Sequence, residues 1–118
     1  MKAKRPRPPK HLRAATKRWW LRVVADYDLE EHHVRLLTLA GEAWDRCQQA
    51  REALAKHGLT YTDRFGSPRS RPEVVIERDS RLAFTRVLRE LALDVEVPAE
   101  DSRPPAITGK AGLRVTGG

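Results

Sequence analysis

The chain has 118 residues, a net charge of +7 and a pI of about 10.2, enough for one small domain with a modest core. Cys47 is the only cysteine, which excludes an intrachain disulfide and a thiolate metal cage and fits a reducing cytosol. No apolar run approaches the ~20 residues of a membrane helix, and the basic N-terminus lacks the apolar stretch of an export signal.

The charge is local. Lys2, Lys4, Arg5, Arg7, Lys10, Arg13, Lys17, Arg18 and Arg22 precede the first acid, Asp26, which leaves the remainder of the chain two charges negative. Such a basic segment attracts phosphate polyanions and displaces their condensed counterions. A solubility tail is the plainer alternative. Residues 1–11 carry Pro6, Pro8 and Pro9, which forbid a continuous helix, and read as a flexible arm. Helix one is expected from about Arg13 to Ala25. Trp19, Trp20, Leu21, Val23 and Val24 fan over roughly 200°, about twice the stripe one core contact needs. Two arrangements follow: packing on two sides, one of them another copy, or burial of all five residues in one compact core.

After a turn at Tyr27–Asp28, the spacing of Asp28 and Glu31 suits a capping box. Capping also explains the acidic group Asp26, Asp28, Glu30 and Glu31 better than metal binding does. Helix two is expected from Leu29 to His57, on the order of 43 Å long, with Gly58 as its stop. Its stripe is Leu36, Ala40, Ala43, Cys47, Ala50 and Leu54, widened by Val34, Leu37 and Trp44. Gly41 within it costs up to ~1 kcal/mol relative to alanine, which close packing would justify. Residues 59–71 read as a loop or small β-hairpin, with Arg64, Arg69 and Arg71 as a second basic spot or a solvated loop. Helix three starts near Pro72, and its stripe is Phe84, Val87, Leu88 and Leu91. Val74, Val75 and Ile76 fall off that stripe, so either they make a separate contact or the helix begins later. Beyond Leu93 the Pro-, Gly- and charge-rich sequence reads as a loose tail.

Catalytic signatures are missing from the sequence. "GKAGL" at 109–113 lacks the upstream glycine and following hydroxyl of a phosphate loop. His32 and His33 are adjacent and diverge by about 100° on a helix, and His11 and His57 are isolated. Ser67, Ser70, Ser80 and Ser102 have no base beside them in sequence. The reading is a binding protein without enzymatic activity, cofactor or metal.

The order of sparse positions points to a family. Pro9-Lys10-His11-Leu12 precedes a helix with Trp20. A long helix with Leu29, Leu36, Ala43-Trp44, Ala50 and Leu54 ends in His57-Gly58-Leu59. A loop with Gly66 leads to Arg71-Pro72, and the last helix carries Leu82, Leu88 and Glu90-Leu91-Ala92-Leu93. This pattern, over roughly residues 9–105, resembles the short helical small subunits of tailed-phage terminases. Ala92 departs from the family's glycine, residues 94–103 lengthen the approach to Arg103, and Arg13 stands where a Ser or Thr cap is usual. The resemblance implies a homo-oligomeric ring, eight to ten copies by analogy, in the cytoplasm of a bacterial host. It also implies recognition of double-stranded viral DNA and delivery to a large terminase subunit that carries the ATPase and nuclease.

The expectation is therefore an all-α antiparallel helical hairpin with one long central helix, a loop or small β-hairpin and a third helix. Residues 1–11 form the arm, 12–94 the oligomerisation and DNA-binding domain, and 95–118 the tail, a candidate contact for the large subunit. Arg5, Arg7, Lys10, Arg13, Lys17, Arg18, Arg22, Arg64, Arg69 and Arg71 are the candidate DNA contacts. Trp19, Trp20, Val23, Val24, Leu37 and Trp44 are the candidate oligomer interface. A helix-turn-helix regulator and a helical protein-interaction adaptor are the alternatives.

Overall fold

Tertiary partners supply the helix starts that local sequence does not. The computed structural model describes residues 6–91 and Pro98. Helix α1 spans Ala14–Asp26, α2 Glu31–His57 and α3 Pro72–Leu91. Between α2 and α3 a two-stranded antiparallel hairpin is formed by β1, Thr60–Thr62, and β2, Pro68–Ser70. Its register pairs Thr60 with Ser70, Tyr61 with Arg69 and Thr62 with Pro68. The fold is the mainly helical architecture that the sequence suggests. The tail and the first five residues of the arm lie outside the described residues, apart from Pro98, which is buried.

Helix α1 begins after Arg13, which has extended φ and ψ and no side chain able to cap. The cap comes from α2: Asp45 Oδ2 accepts the Arg13 amide at 2.8 Å, and Oδ1 accepts the Thr16 hydroxyl at 2.5 Å. A carboxylate at that point also faces the positive end of the helix dipole. The Arg13 side chain then forks onto Glu52, Nη1 to Oε2 at 2.8 Å and Nη2 to Oε1 at 2.9 Å. Leu12 turns into the core just ahead of the helix. Gly41 makes this approach possible, because a Cβ there would lie 3.1 Å from Thr16 Cγ2 and 3.3 Å from Leu12 Cδ1. The close packing expected of Gly41 is thus real.

Helix α2 starts two residues later than the sequence suggests. Glu30, rather than Asp28, is its N-cap, and the Glu30 amide donates to His33 Nδ1 at 3.2 Å in a reciprocal capping box. A box with His at the fourth position is easily overlooked. Gly58 ends the helix as expected, with φ 85° and ψ −178°, a region reserved for glycine and distinct from αL. Helix α3 does begin at Pro72, and Ser80, Phe84 and Leu91 are buried along it, with Val87 and Leu88 half-buried.

Phe84 joins the three helices. Its ring lies 4.9 Å from that of Trp44 on α2 and 6.1 Å from that of Trp19 on α1, both tilted by about 50°. Tilted aromatic pairs at such distances each add roughly 0.5–1.5 kcal/mol beyond the area they bury. Trp20 is fully enclosed, and its Nε1 donates to Thr38 Oγ1 on α2 at 3.2 Å. A buried indole without that acceptor would lose a donor partner. Leu37, Ala40 and Val23 complete the centre of the core.

The candidate oligomer-interface residues all lie in or against this core. Trp19, Trp20, Val23, Leu37 and Trp44 are all buried within the single chain, and Val24 is half-buried against the same core. Helix α1 packs along α2, and its Trp19 reaches Phe84 of α3. Val24 is the one of the six that keeps partial exposure. The exposed large apolar residues lie elsewhere: Leu21 on α1, Leu39 on α2, Leu59, Tyr61 and Phe65 about the hairpin, and Val75, Ile76 and Leu82 on α3. The off-stripe Val75 and Ile76 are thus neither core nor evidence for a later helix start.

Candidate nucleic-acid interface

Burial of Thr16, Trp19, Trp20 and Val23 fixes which face of α1 meets solvent. At 100° per residue the opposite arc carries Ala14, Lys17, Arg18, Leu21, Arg22 and Ala25. Arg18 and Arg22 are exposed and Lys17 is half-buried. None of the three has an acidic partner among the described residues. Arg7 and Lys10, in the segment that leads into α1, are also exposed and without such a partner. The three cations of α1 lie on the arc opposite its buried face, so their charge is available to a polyanion.

The remaining candidates are differently placed. Arg13 is engaged by Glu52 and serves the start of α1. Its hydrogen bonds hold the Glu52 carboxyl below its ordinary range, against a smaller opposing effect of burial. Arg69 Nε donates to Asp63 Oδ2 at 2.9 Å. Arg71 Nε faces Glu73 Oε1 at 3.3 Å without hydrogen-bond alignment, the two atoms enclosed although both side chains are half-buried. Arg64 lies over the Phe65 ring, 5.0 Å from its centroid. Of the three arginines of residues 59–71, Arg64 alone makes no ion pair among the described residues. Arg5 lies outside the described residues.

A cleft of about 400 Å³ beside the start of α1 holds His11, Arg13, Glu42, Asp45 and Arg46. Its mixed charge, with Glu42 bonded to His11 Nε2 at 2.8 Å, makes it a poor phosphate site. On the other side of α2, Glu77 of α3 gathers Arg81, Arg51 and the buried Cys47 thiol, at 3.1, 3.3 and 3.6 Å. Burial pushes the Glu77 carboxyl up, and the hydrogen bonds from Arg81 and Arg51 outweigh it, so the net shift is downward. Burial pushes the Cys47 thiol up, with Glu77 adding to the effect. A buried thiol with a raised pKa is a weak nucleophile. Among the described residues no three His, Cys, Asp or Glu side chains gather as a metal centre, and no helix is long and apolar enough to cross a membrane.

Sequence reasoning missed the residues that shape this site. Asp45 and Glu52, which carry no candidate role in the sequence, anchor the start of α1 and so orient its cationic face. The one available signal was the missing cap at Arg13, which requires an acceptor from elsewhere in the fold.

Fold and site together define a small three-helix protein with a cationic face on its first helix and a core holding four aromatic side chains. The description "Phage terminase, small subunit" belongs to the family model that matches residues 16–101, most of the chain. The chain belongs to the phage terminase small-subunit family. That family serves phage DNA packaging, is generally non-catalytic, and in general associates with DNA and a large terminase subunit. No curated protein and no solved structure matches the chain.

Proposed function

We propose that the chain is a non-catalytic, oligomeric, DNA-binding terminase small subunit that recognises double-stranded viral DNA in the bacterial host and delivers it to the large subunit. The observation that carries this reading is the α1 face of Lys17, Arg18 and Arg22, set beside Lys10 and Arg7, in a chain of this family. Guanidinium and ammonium groups without acidic partners exchange counterions with phosphates at little desolvation cost. Phosphate contacts fix position and orientation but do not read bases. One copy supplies few contacts, and assembly brings several such faces to the same duplex, raising effective concentration without new chemistry. With the tryptophans committed to the core, the proposed assembly surface is the exposed apolar set on α2, α3 and the hairpin.

The test is duplex binding by Arg18→Glu/Arg22→Glu, followed by fluorescence anisotropy at low salt. The pair lies on the exposed face of α1, away from the core and from the proposed assembly surface. The expected result is at least a tenfold loss of affinity with helix content and solution mass unchanged. Unaltered affinity would remove α1 from the DNA site.

A further inference from the structure

Leu21 is 48% exposed, and it stands in the middle of the cationic face of α1 rather than at its margin. At 100° per residue along α1, Lys17 lies roughly 40° to one side of Leu21, and Arg18 and Arg22 lie roughly 60° and 100° to the other. Ala14 and Ala25, both exposed, fall within roughly 40° of the same line. The outer crest of the helix is thus one Leu side chain between two alanines, with longer cationic side chains on both flanks. Trp19, Trp20 and Val23 are held in the core on the opposite side, so the crest stays turned to solvent.

Charge selects what this crest can meet. Lys17, Arg18 and Arg22 have no acidic partner among the described residues. The one acid of α1, Asp26, is its last residue and lies roughly 140° from Leu21. A second copy pressing the same face would set these cations against their own kind. An apolar residue flanked by unpaired cations suits a surface with anionic walls and apolar groups on its floor. The major groove of a duplex is such a surface. It is about 12 Å wide and 8.5 Å deep, and thymine presents its 5-methyl group there. A helix about 10–12 Å in diameter fits it. In that setting Lys17 faces the phosphates of one strand, Arg18 and Arg22 face those of the other, and Leu21 lies over the base edges.

We propose that Leu21 is a base-reading residue, which packs against a thymine 5-methyl group while α1 lies in the major groove. This deepens, and rests on, the DNA-binding reading above, in which the cations supply grip but no preference among sequences. Leucine has no hydrogen-bonding group, so covering the amino donor of cytosine with it leaves that donor unpaired at a cost. Contact with a methyl group carries no such cost, and the preference therefore runs to A·T pairs.

The test uses the full chain. Duplexes enriched by the wild type from a random library give the preferred sequence. Fluorescence anisotropy then compares that duplex with forms in which deoxyuridine replaces thymine at each preferred position in turn. The expected result is that the wild type loses about fourfold in affinity at one such position or more, the worth of one buried methyl group. Leu21→Ala should bind the thymine and deoxyuridine forms alike, with circular dichroism and light-scattering mass as controls of fold and assembly. Deoxyuridine tolerated at every position by the wild type would overturn the methyl contact, whatever the variant does. The same thymine preference in folded Leu21→Ala would overturn it by assigning the reading to another residue. A wild type that binds duplex but enriches no sequence would overturn it and leave the DNA-binding reading standing. A wild type without duplex affinity at low salt would overturn both.

Discussion

Replacing Asp45 with alanine tests the inter-helix cap most directly. The change removes the acceptor of the Arg13 amide at 2.8 Å and leaves the Thr16 hydroxyl, 1% exposed, without its partner. Loss of an N-cap acceptor costs ~0.5–2 kcal/mol, and an unsatisfied buried hydroxyl costs ~1–3 kcal/mol. The two effects overlap at one carboxylate, so the sum is taken near its lower half, about 2–3 kcal/mol. For a domain of this size that lowers Tm by roughly 10–20 °C. Asp45→Asn retains one acceptor oxygen and should cost about half as much. Thr16→Val in the Asp45→Ala background should cost much less than in the wild type, because the two residues share one interaction. Thermal melts followed by circular dichroism at fixed protomer concentration provide the readout, since assembly itself shifts Tm. An Asp45→Ala variant melting within about 2 °C of the wild type would refute the cap, and so would additive effects of Asp45→Ala and Thr16→Val.

Gly41→Ala should gain no stability, and lose up to about 1 kcal/mol, although alanine is the better helix former by ~1 kcal/mol. The new Cβ meets Thr16 and Leu12, both fixed in the core, and a rise of several degrees in Tm would contradict this packing. Acid should destabilise the fold through Glu52, Asp63 and Glu77, whose carboxyls all lie below their ordinary values of 4.5, 3.8 and 4.5. A carboxyl lowered on folding contributes stability above its unfolded value and loses that contribution as pH falls through its folded value. Stability should therefore fall progressively below about pH 4.5 in a urea titration, and Glu52→Gln should flatten that fall. Gly66→Ala, at φ 83° with open space about the Cβ, should cost about 1 kcal/mol of backbone strain. Amide exchange should show faster opening of the hairpin, with the exchange of α2 unchanged.

Much of the helical layout was legible because it is local. Phe84, Val87, Leu88 and Leu91 share a face by spacing alone, and Pro72 and Gly58 mark boundaries by backbone chemistry. The identity of the neighbours was not legible. The wide apolar arc of α1 fits either a second copy or one compact core, and the meeting of Trp19 with Phe84 inside the chain cannot be read from local spacing. These residues are 65 positions apart in sequence. Asp45 and Glu52 look like ordinary surface acids of α2 until α1 is laid across them, and that crossing depends on Gly41. The cationic face of α1 was readable as charge. Which of its members remain without acidic partners depended on the same crossing, which took Arg13 for Glu52 and left Arg18 and Arg22 exposed.

In the proposed function several copies grip one duplex through the first helix. The direct measurement is the slope of log affinity against log salt for the wild type and for Arg18→Glu/Arg22→Glu, with solution mass recorded in the same buffers. Each phosphate contact contributes about 0.9 to the magnitude of that slope. The account predicts that the variant, at unchanged mass, loses more than the two contacts of a single chain would supply. Equal slopes for the two proteins, both still assembled, would contradict it.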